Sequence, residues 1–85
     1  MNIQLRFFAS VREALGTGQE TMALPAGVQT VGELRAHLRD RGGAWAETLA
    51  EGRALRMAYN QVMTGADTRI AEGGEVAFFP PVTGG

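Results

Sequence analysis

The sequence predicts an α+β domain in which a mixed sheet carries one main helix packed across a single face. Three stretches predict it. Asn2-Ile3-Gln4-Leu5-Arg6-Phe7 alternates with the period of two that a half-buried strand shows. Thr30-Val31-Gly32-Glu33 has the form of a capping box and opens a run in which Val31, Leu34 and Leu38 recur at helical spacing. Val76-Ala77-Phe78-Phe79 is an apolar strand that runs directly into Pro80 and Pro81.

Composition narrows the class. Eighty-five residues make one domain with a limited core. A hydrophobic content of 45% with 20% charged residues suits a globular chain rather than a disordered one. The net charge is −1, and the eight basic residues are all arginines scattered along the chain. With no basic stripe, nucleic-acid binding has no support. The absence of cysteine excludes a disulfide framework, a thiolate metal site and a thiol nucleophile. No basic-then-apolar leader and no long apolar span occur, so a cytoplasmic protein is expected. Lysine is also missing, which leaves no side-chain amine for linking one copy to another.

Taken in order, the first strand turns Ile3, Leu5 and Phe7 to one face and Gln4, Arg6 and Phe8 to the other. Ser10-Val11-Arg12-Glu13 has a capping-box pattern with Ser10 as the cap, and Gly16 is the expected stop of a short helix. Residues 19–24 form a second strand, with Met22 and Leu24 on one face and Pro25-Ala26-Gly27 ending it, antiparallel to the first. The main helix is expected to run from the Thr30 cap to Gly42-Gly43 and to cover the face made by Ile3, Leu5 and Phe7. His37 lies off its apolar stripe and reads as a surface residue. Residues 44–51 permit a second short helix, with Trp45 and Leu49 at i and i+4 and Trp45 as an anchor. Residues 55–59 alternate as a strand, Asn60-Gln61 turns the chain, and Val62-Met63 starts a return strand. Residues 64–70 are irregular, and Glu72-Gly73-Gly74-Glu75 turns tightly into the last strand. The first and last strands can lie side by side in the middle of the sheet only if they run parallel, the helix forming part of the crossover.

This arrangement also predicts a binding surface. If Val76 and Phe78 face the helix, Phe79 faces away from it, and so does Phe8 on the first strand. As neighbours they would make a contiguous aromatic patch, which marks a partner site when exposed. Burying each phenylalanine there is worth about 1.5–3 kcal/mol, against roughly 0–1 kcal/mol for a surface ion pair. Phe8 and Phe79, helped by Met63, are therefore the expected anchors, with Arg12 tuning the contact. The alternative that both phenylalanines are buried core stays open. Beyond Phe79 the two prolines lack an N–H and end the sheet ladder. The domain thus divides into a body, residues 1–79, and an extended arm, residues 80–85, of at most roughly 20 Å. Pro80 and Pro81 stiffen this arm, Val82 and Thr83 continue it, and Gly84-Gly85 present a carboxylate with no side chain to impede a close approach. That suits a terminus delivered into a narrow site on another protein. The body offers no catalytic constellation: there is no cysteine, Ser10 is a cap, His37 stands alone, and no metal spacing or phosphate loop is present.

The blocks Leu5-Arg6-Phe7-Phe8-Ala9-Ser10-Val11-Arg12-Glu13, Gly73-Gly74-Glu75-Val76-Ala77-Phe78-Phe79 and Pro80-Pro81-Val82-Thr83-Gly84-Gly85 resemble those of the small, sulfur-carrier subunits of molybdopterin synthase, across essentially the whole chain. The C-terminal block carries most of the specificity, and Tyr59 and the lack of lysine are departures. The resemblance implies a ubiquitin-like β-grasp fold. It further implies that the Gly85 carboxylate is adenylated with ATP by a ubiquitin-activating-like adenylyltransferase and sulfurtransferase, then converted to a thiocarboxylate. The large synthase subunit would receive the arm, two carriers flanking a dimer of large subunits in a heterotetramer. Sulfur would pass there to cyclic pyranopterin monophosphate, so the small subunit is not an enzyme on its own and holds no permanent cofactor or metal. Chemistry agrees at one point. An α-carboxyl with a pKa of about 3.3–3.7 is ionised at neutral pH and a poor acyl electrophile, so activation must precede any exchange of oxygen for sulfur. Two alternatives stay open: a sulfur carrier for thiamine thiazole synthesis or another thiolation pathway, and a ubiquitin-like binding or modifier domain that carries no sulfur.

Overall fold

A computed structural model describes residues 1–81, in which five strands form one mixed sheet. In chain order the elements are β1 (Asn2–Phe7), α1 (Ala9–Leu15), β2 (Gln19–Ala23), α2 (Val31–Arg39), α3 (Gly43–Thr48), β3 (Arg56–Tyr59), β4 (Val62–Thr64) and β5 (Glu75–Phe79). The strands lie in the order β2-β1-β5-β3-β4. β1 pairs antiparallel with β2 and parallel with β5, and β5 pairs antiparallel with β3. The last strand is thus the centre of the sheet, beside the first and parallel to it, which is the condition the element order set for that placing.

The core fills the space between one sheet face and the helices. Ile3, Leu5, Phe7, Val76 and Phe78 on the sheet meet Val31, Leu34 and Leu38 of α2, and all of these are 0–1% exposed. α2 forms where the capping box predicts it. The Thr30 hydroxyl accepts from the Glu33 N–H at 3.2 Å, and the Glu33 carboxylate accepts from the Thr30 N–H at 3.0 Å. Two of the helix's remaining orphan donors are met by the loop that follows β4: the Val31 and Gly32 N–H groups donate to the carbonyls of Thr68 and Ala66. At the far end, the Arg35 guanidinium donates to the carbonyls of Leu49 and Ala50, which fastens α2 to the end of α3. Trp45 of α3 meets Phe7 edge-on, with ring centroids 5.5 Å apart, as an anchor should.

The boundaries of all three helices differ from the sequence reading. Ser10 is not a cap. The Phe8 carbonyl already accepts from the N–H groups of Val11 and Arg12, so Phe8 is the N-cap and Ser10 lies inside the first turn, with no side-chain cap bond made. The strand pairing sets this start, because the Phe8 N–H donates to the Phe78 carbonyl and holds Phe8 in extended geometry. Nor does α2 run to Gly42-Gly43. It ends at Arg39 with a right-handed Asp40 as C-cap, and Gly42, at φ +77°, instead begins α3. Gly16 does close α1 in the left-handed region, at φ +75°. α3 is shorter than residues 44–51, with Leu49 fully buried as its C-cap.

Tyr59 explains a glycine. Its hydroxyl accepts from the Ala71 N–H at 2.7 Å, and a Cβ on Gly74 would stand 2.5 Å from that hydroxyl. The ring therefore lies across the β5 turn in space that only glycine leaves free. The β3–β4 hairpin turns on Asn60 and Gln61, both at positive φ (50° and 70°), as a two-residue hairpin of this hand requires. Asn60 also accepts from the Glu75 N–H through its side chain, which locks the hairpin to the start of β5.

An ion pair links the end of α2 to β2. Arg41 donates to both carboxylate oxygens of Glu20, at 2.9 and 2.6 Å, and its guanidinium lies 4.4 Å from the Trp45 ring centre. The hydrogen bond from Arg41 holds the Glu20 carboxyl below its ordinary pKa, against the opposing effect of partial burial. A carboxyl with a lower pKa folded than unfolded adds stability in full above the unfolded value of about 4.3, and loses it as pH falls through the folded value. Between about pH 5 and pH 3 the melting temperature of the wild type should therefore fall more steeply than that of Glu20→Gln. The difference should be small, since both side chains are in part solvated. Parallel slopes in thermal melts would contradict the assignment.

Candidate functional site

The sheet face opposite the helices holds the site. The parallel register sets Arg6 of β1 beside Ala77 of β5, and the antiparallel register sets Ala77 beside Ala58 of β3. One step further along, Phe8 and Phe79 come together at the ends of β1 and β5. Their ring centroids are 6.5 Å apart with the planes at 77°, an edge-to-face pair. Phe8 is 42% exposed and Phe79 half-buried, so the alternative that both are core does not hold. Phe7 and Phe78, their neighbours in sequence, occupy the core instead, as strand alternation requires.

These side chains frame an open groove of about 660 Å³. Ala58 and Ala77 make its floor, and both are buried despite facing away from the helices. Phe8, Phe79 and Arg6 rise along it, and Pro80 and Pro81 lie at the end where the chain leaves the sheet. Small residues on the floor let another molecule's backbone come near the sheet, while the rings supply apolar area. The Arg6 guanidinium sits 5.5 Å from the Phe8 ring centre, and its Nε is buried with no hydrogen-bond partner among the described residues.

The structure thus brings together four of the residues singled out from sequence: Phe8, Phe79, Pro80 and Pro81. Met63 shares the face, paired opposite Ala58 and 59% exposed, but stands one strand beyond the groove. Arg12 is exposed on α1 with its side chain against Gly18 of the turn between α1 and β2, and it does not line the groove. Val82, Thr83, Gly84 and Gly85 lie outside the described residues. Sequence reading missed Arg6, Ala58 and Ala77. The alternation that pointed Phe8 and Phe79 outward applies equally to these three, so the signal was present in the same strands.

Among the described residues no group of three or more histidine and carboxylate side chains is placed to hold a metal ion. His37 is half-buried on α2, on the opposite side of the sheet from the groove. Among the described residues no helix is long and apolar enough to cross a membrane.

Comparison with known proteins bears on the family and the fold. A model of the ThiS family matches residues 5–85. The molybdopterin synthase sulfur carrier subunit of Escherichia coli (strain K12) is 45% identical over 83 residues, which are 98% of this chain and 99% of that one. Among solved structures, the crystal structure of SAMP1 from Haloferax volcanii superimposes with a TM-score of 0.80 at 24% identity, covering 100% of both chains. A chain in the complex of subunits 1 and 2 of molybdopterin-converting factor from Helicobacter pylori 26695 gives a TM-score of 0.68 at 23% identity, again over 100% of both. The fold is the ubiquitin-like β-grasp that the resemblance implied.

Proposed function

The chain belongs to the ThiS family, and from that premise we propose that it is the sulfur-carrying, non-catalytic subunit of a molybdopterin synthase. The observation that carries the reading is structural. The central strand β5 leads straight into Pro80 and Pro81, beside an exposed Phe8–Phe79 pair, so a docking surface and the root of the C-terminal arm adjoin. The curated relative at 45% identity is named for sulfur carriage, which favours that activity over a modifier without sulfur. Its name also favours molybdopterin over thiazole assembly.

In this reading residues 1–79 are the docking body and residues 80–85 the arm. The Gly85 carboxylate attacks the α-phosphorus of ATP on the activating enzyme and releases pyrophosphate. A sulfur nucleophile then displaces AMP to leave a thiocarboxylate. The arm delivers that sulfur to cyclic pyranopterin monophosphate inside the large subunit, which supplies the catalytic residues, in a heterotetramer within the cytoplasm. Gly84 keeps the approach to the carbonyl narrow. The H. pylori complex of subunits 1 and 2 supports a large-subunit partner, since this chain shares the fold of one of its chains.

The test is titration against the large subunit. Phe79→Ala should weaken binding by about tenfold or more, and Phe8→Ala by a similar factor, because each ring removes about 1.5–3 kcal/mol of apolar burial. Full affinity in both variants would contradict the docking assignment. Co-purification with a thiazole synthase in place of a pterin-binding subunit would move the chain to the other pathway.

A further inference from the structure

Arg6 lines the groove beside the paired rings, and its environment is unusual for an arginine. Its Nε is buried and lacks an acceptor among the described residues. Its guanidinium carbon lies 5.5 Å from the Phe8 ring centre, which places it beside the groove, and the residue as a whole is half-buried. Glu75 lines the same groove, but no ion pair joins the two among the described residues. Arg56, paired with Phe79 across the β3–β5 register, adds a second positive charge to this face but is exposed.

We propose that Arg6 is a specificity residue of the docking face, and that the partner surface covering the groove presents a carboxylate side chain to its guanidinium. This rests on the docking reading above and adds the chemistry of the contact. A partner that covers Phe8 and Phe79 must also take the rest of the Arg6 guanidinium out of water. A buried cation without a counter-charge is strongly unfavourable, and a neutral carbonyl offsets it less well than a carboxylate, which accepts two parallel N–H bonds. This chain supplies no such anion to Arg6 among its described residues, so the partner does. The small floor at Ala58 and Ala77 leaves room for the partner's chain to come close enough.

The experiment is calorimetric titration of the full chain into the large synthase subunit of the same organism, at low and at physiological salt, with thermal melts to confirm that each variant is folded. Arg6→Gln, which keeps a planar donor but removes the charge, should weaken binding by about tenfold or more and flatten the salt dependence. Arg56→Gln should change affinity only slightly, because an exposed charge is screened by solvent. Phe79→Ala should weaken binding while leaving the salt dependence as in the wild type. If Phe79→Ala weakens binding and Arg6→Gln does not, the carboxylate contact is refuted and the docking face stands. If Arg56→Gln weakens binding as much as Arg6→Gln, the effect is diffuse charge and the contact is again refuted. If neither Phe79→Ala nor Arg6→Gln weakens binding, the partner docks elsewhere and both readings fall.

Discussion

Deleting Gly85, or extending the chain past it by one residue, should abolish sulfur transfer in a reconstituted synthase while leaving the fold and the affinity for the large subunit nearly unchanged. The body offers no substitute for the terminus. It has no cysteine to hold sulfur on a side chain, and the groove's lining, which includes Gln61 and Glu75 beside the rings, alanines, prolines and Arg6, has no thiol, hydroxyl or imidazole. Deletion shortens the arm by one residue, about 3.3–3.6 Å, which is enough to draw the carbonyl out of a site that must place reacting atoms within roughly 3–3.5 Å. Extension buries the same carbonyl in a peptide bond. The measurement is sulfur incorporated into product, with binding followed separately by titration. Transfer retained in either variant would mean that the working group lies elsewhere.

The second large effect is on stability. Phe78→Ala should cost about 3–5 kcal/mol, which is a large share of the roughly 5–15 kcal/mol that holds a domain together. Phe78 is 0% exposed and stacks on Phe7 at a centroid distance of 6.1 Å, in the strand at the centre of the sheet. Its removal leaves a cavity between the sheet and the helices that neighbours on two strands cannot readily fill. Phe79→Ala, one residue on, should barely move the denaturation midpoint, since that ring serves the other face. Urea unfolding of the two variants side by side gives the comparison. Equal losses would mean that the two faces of β5 are not divided between core and docking as described.

That division was readable because β strands alternate. The period of two in the first and last strands turned Phe8 and Phe79 outward, and the parallel pairing of β1 with β5 is what sets them side by side. The Thr30–Glu33 box was equally legible, because both of its bonds are local. Ser10 shows where local reading fails. Its pattern matched that of Thr30, yet the Phe8 N–H is committed to the Phe78 carbonyl, and a contact 70 residues away in sequence decides where α1 begins. The same holds for Gly42, whose positive φ starts a helix instead of stopping one, with Arg35 tying that helix back to α2. Arg6 was visible as an outward residue of β1, but its buried Nε follows from the ring of Phe8 and the neighbouring strands together. Arg12 was expected to tune the contact made by Phe8 and Phe79, but the turn of α1 carries it away toward Gly18.

The central claim is that the terminus carries the sulfur, and intact mass reads it directly. The full chain is incubated with the activating enzyme, ATP and a sulfur donor, and the protein is then weighed and fragmented. The account predicts a gain equal to one sulfur replacing one oxygen, located at Gly85 and absent when ATP is withheld. An unchanged mass with active enzyme, or a sulfur found on any other residue, would contradict it.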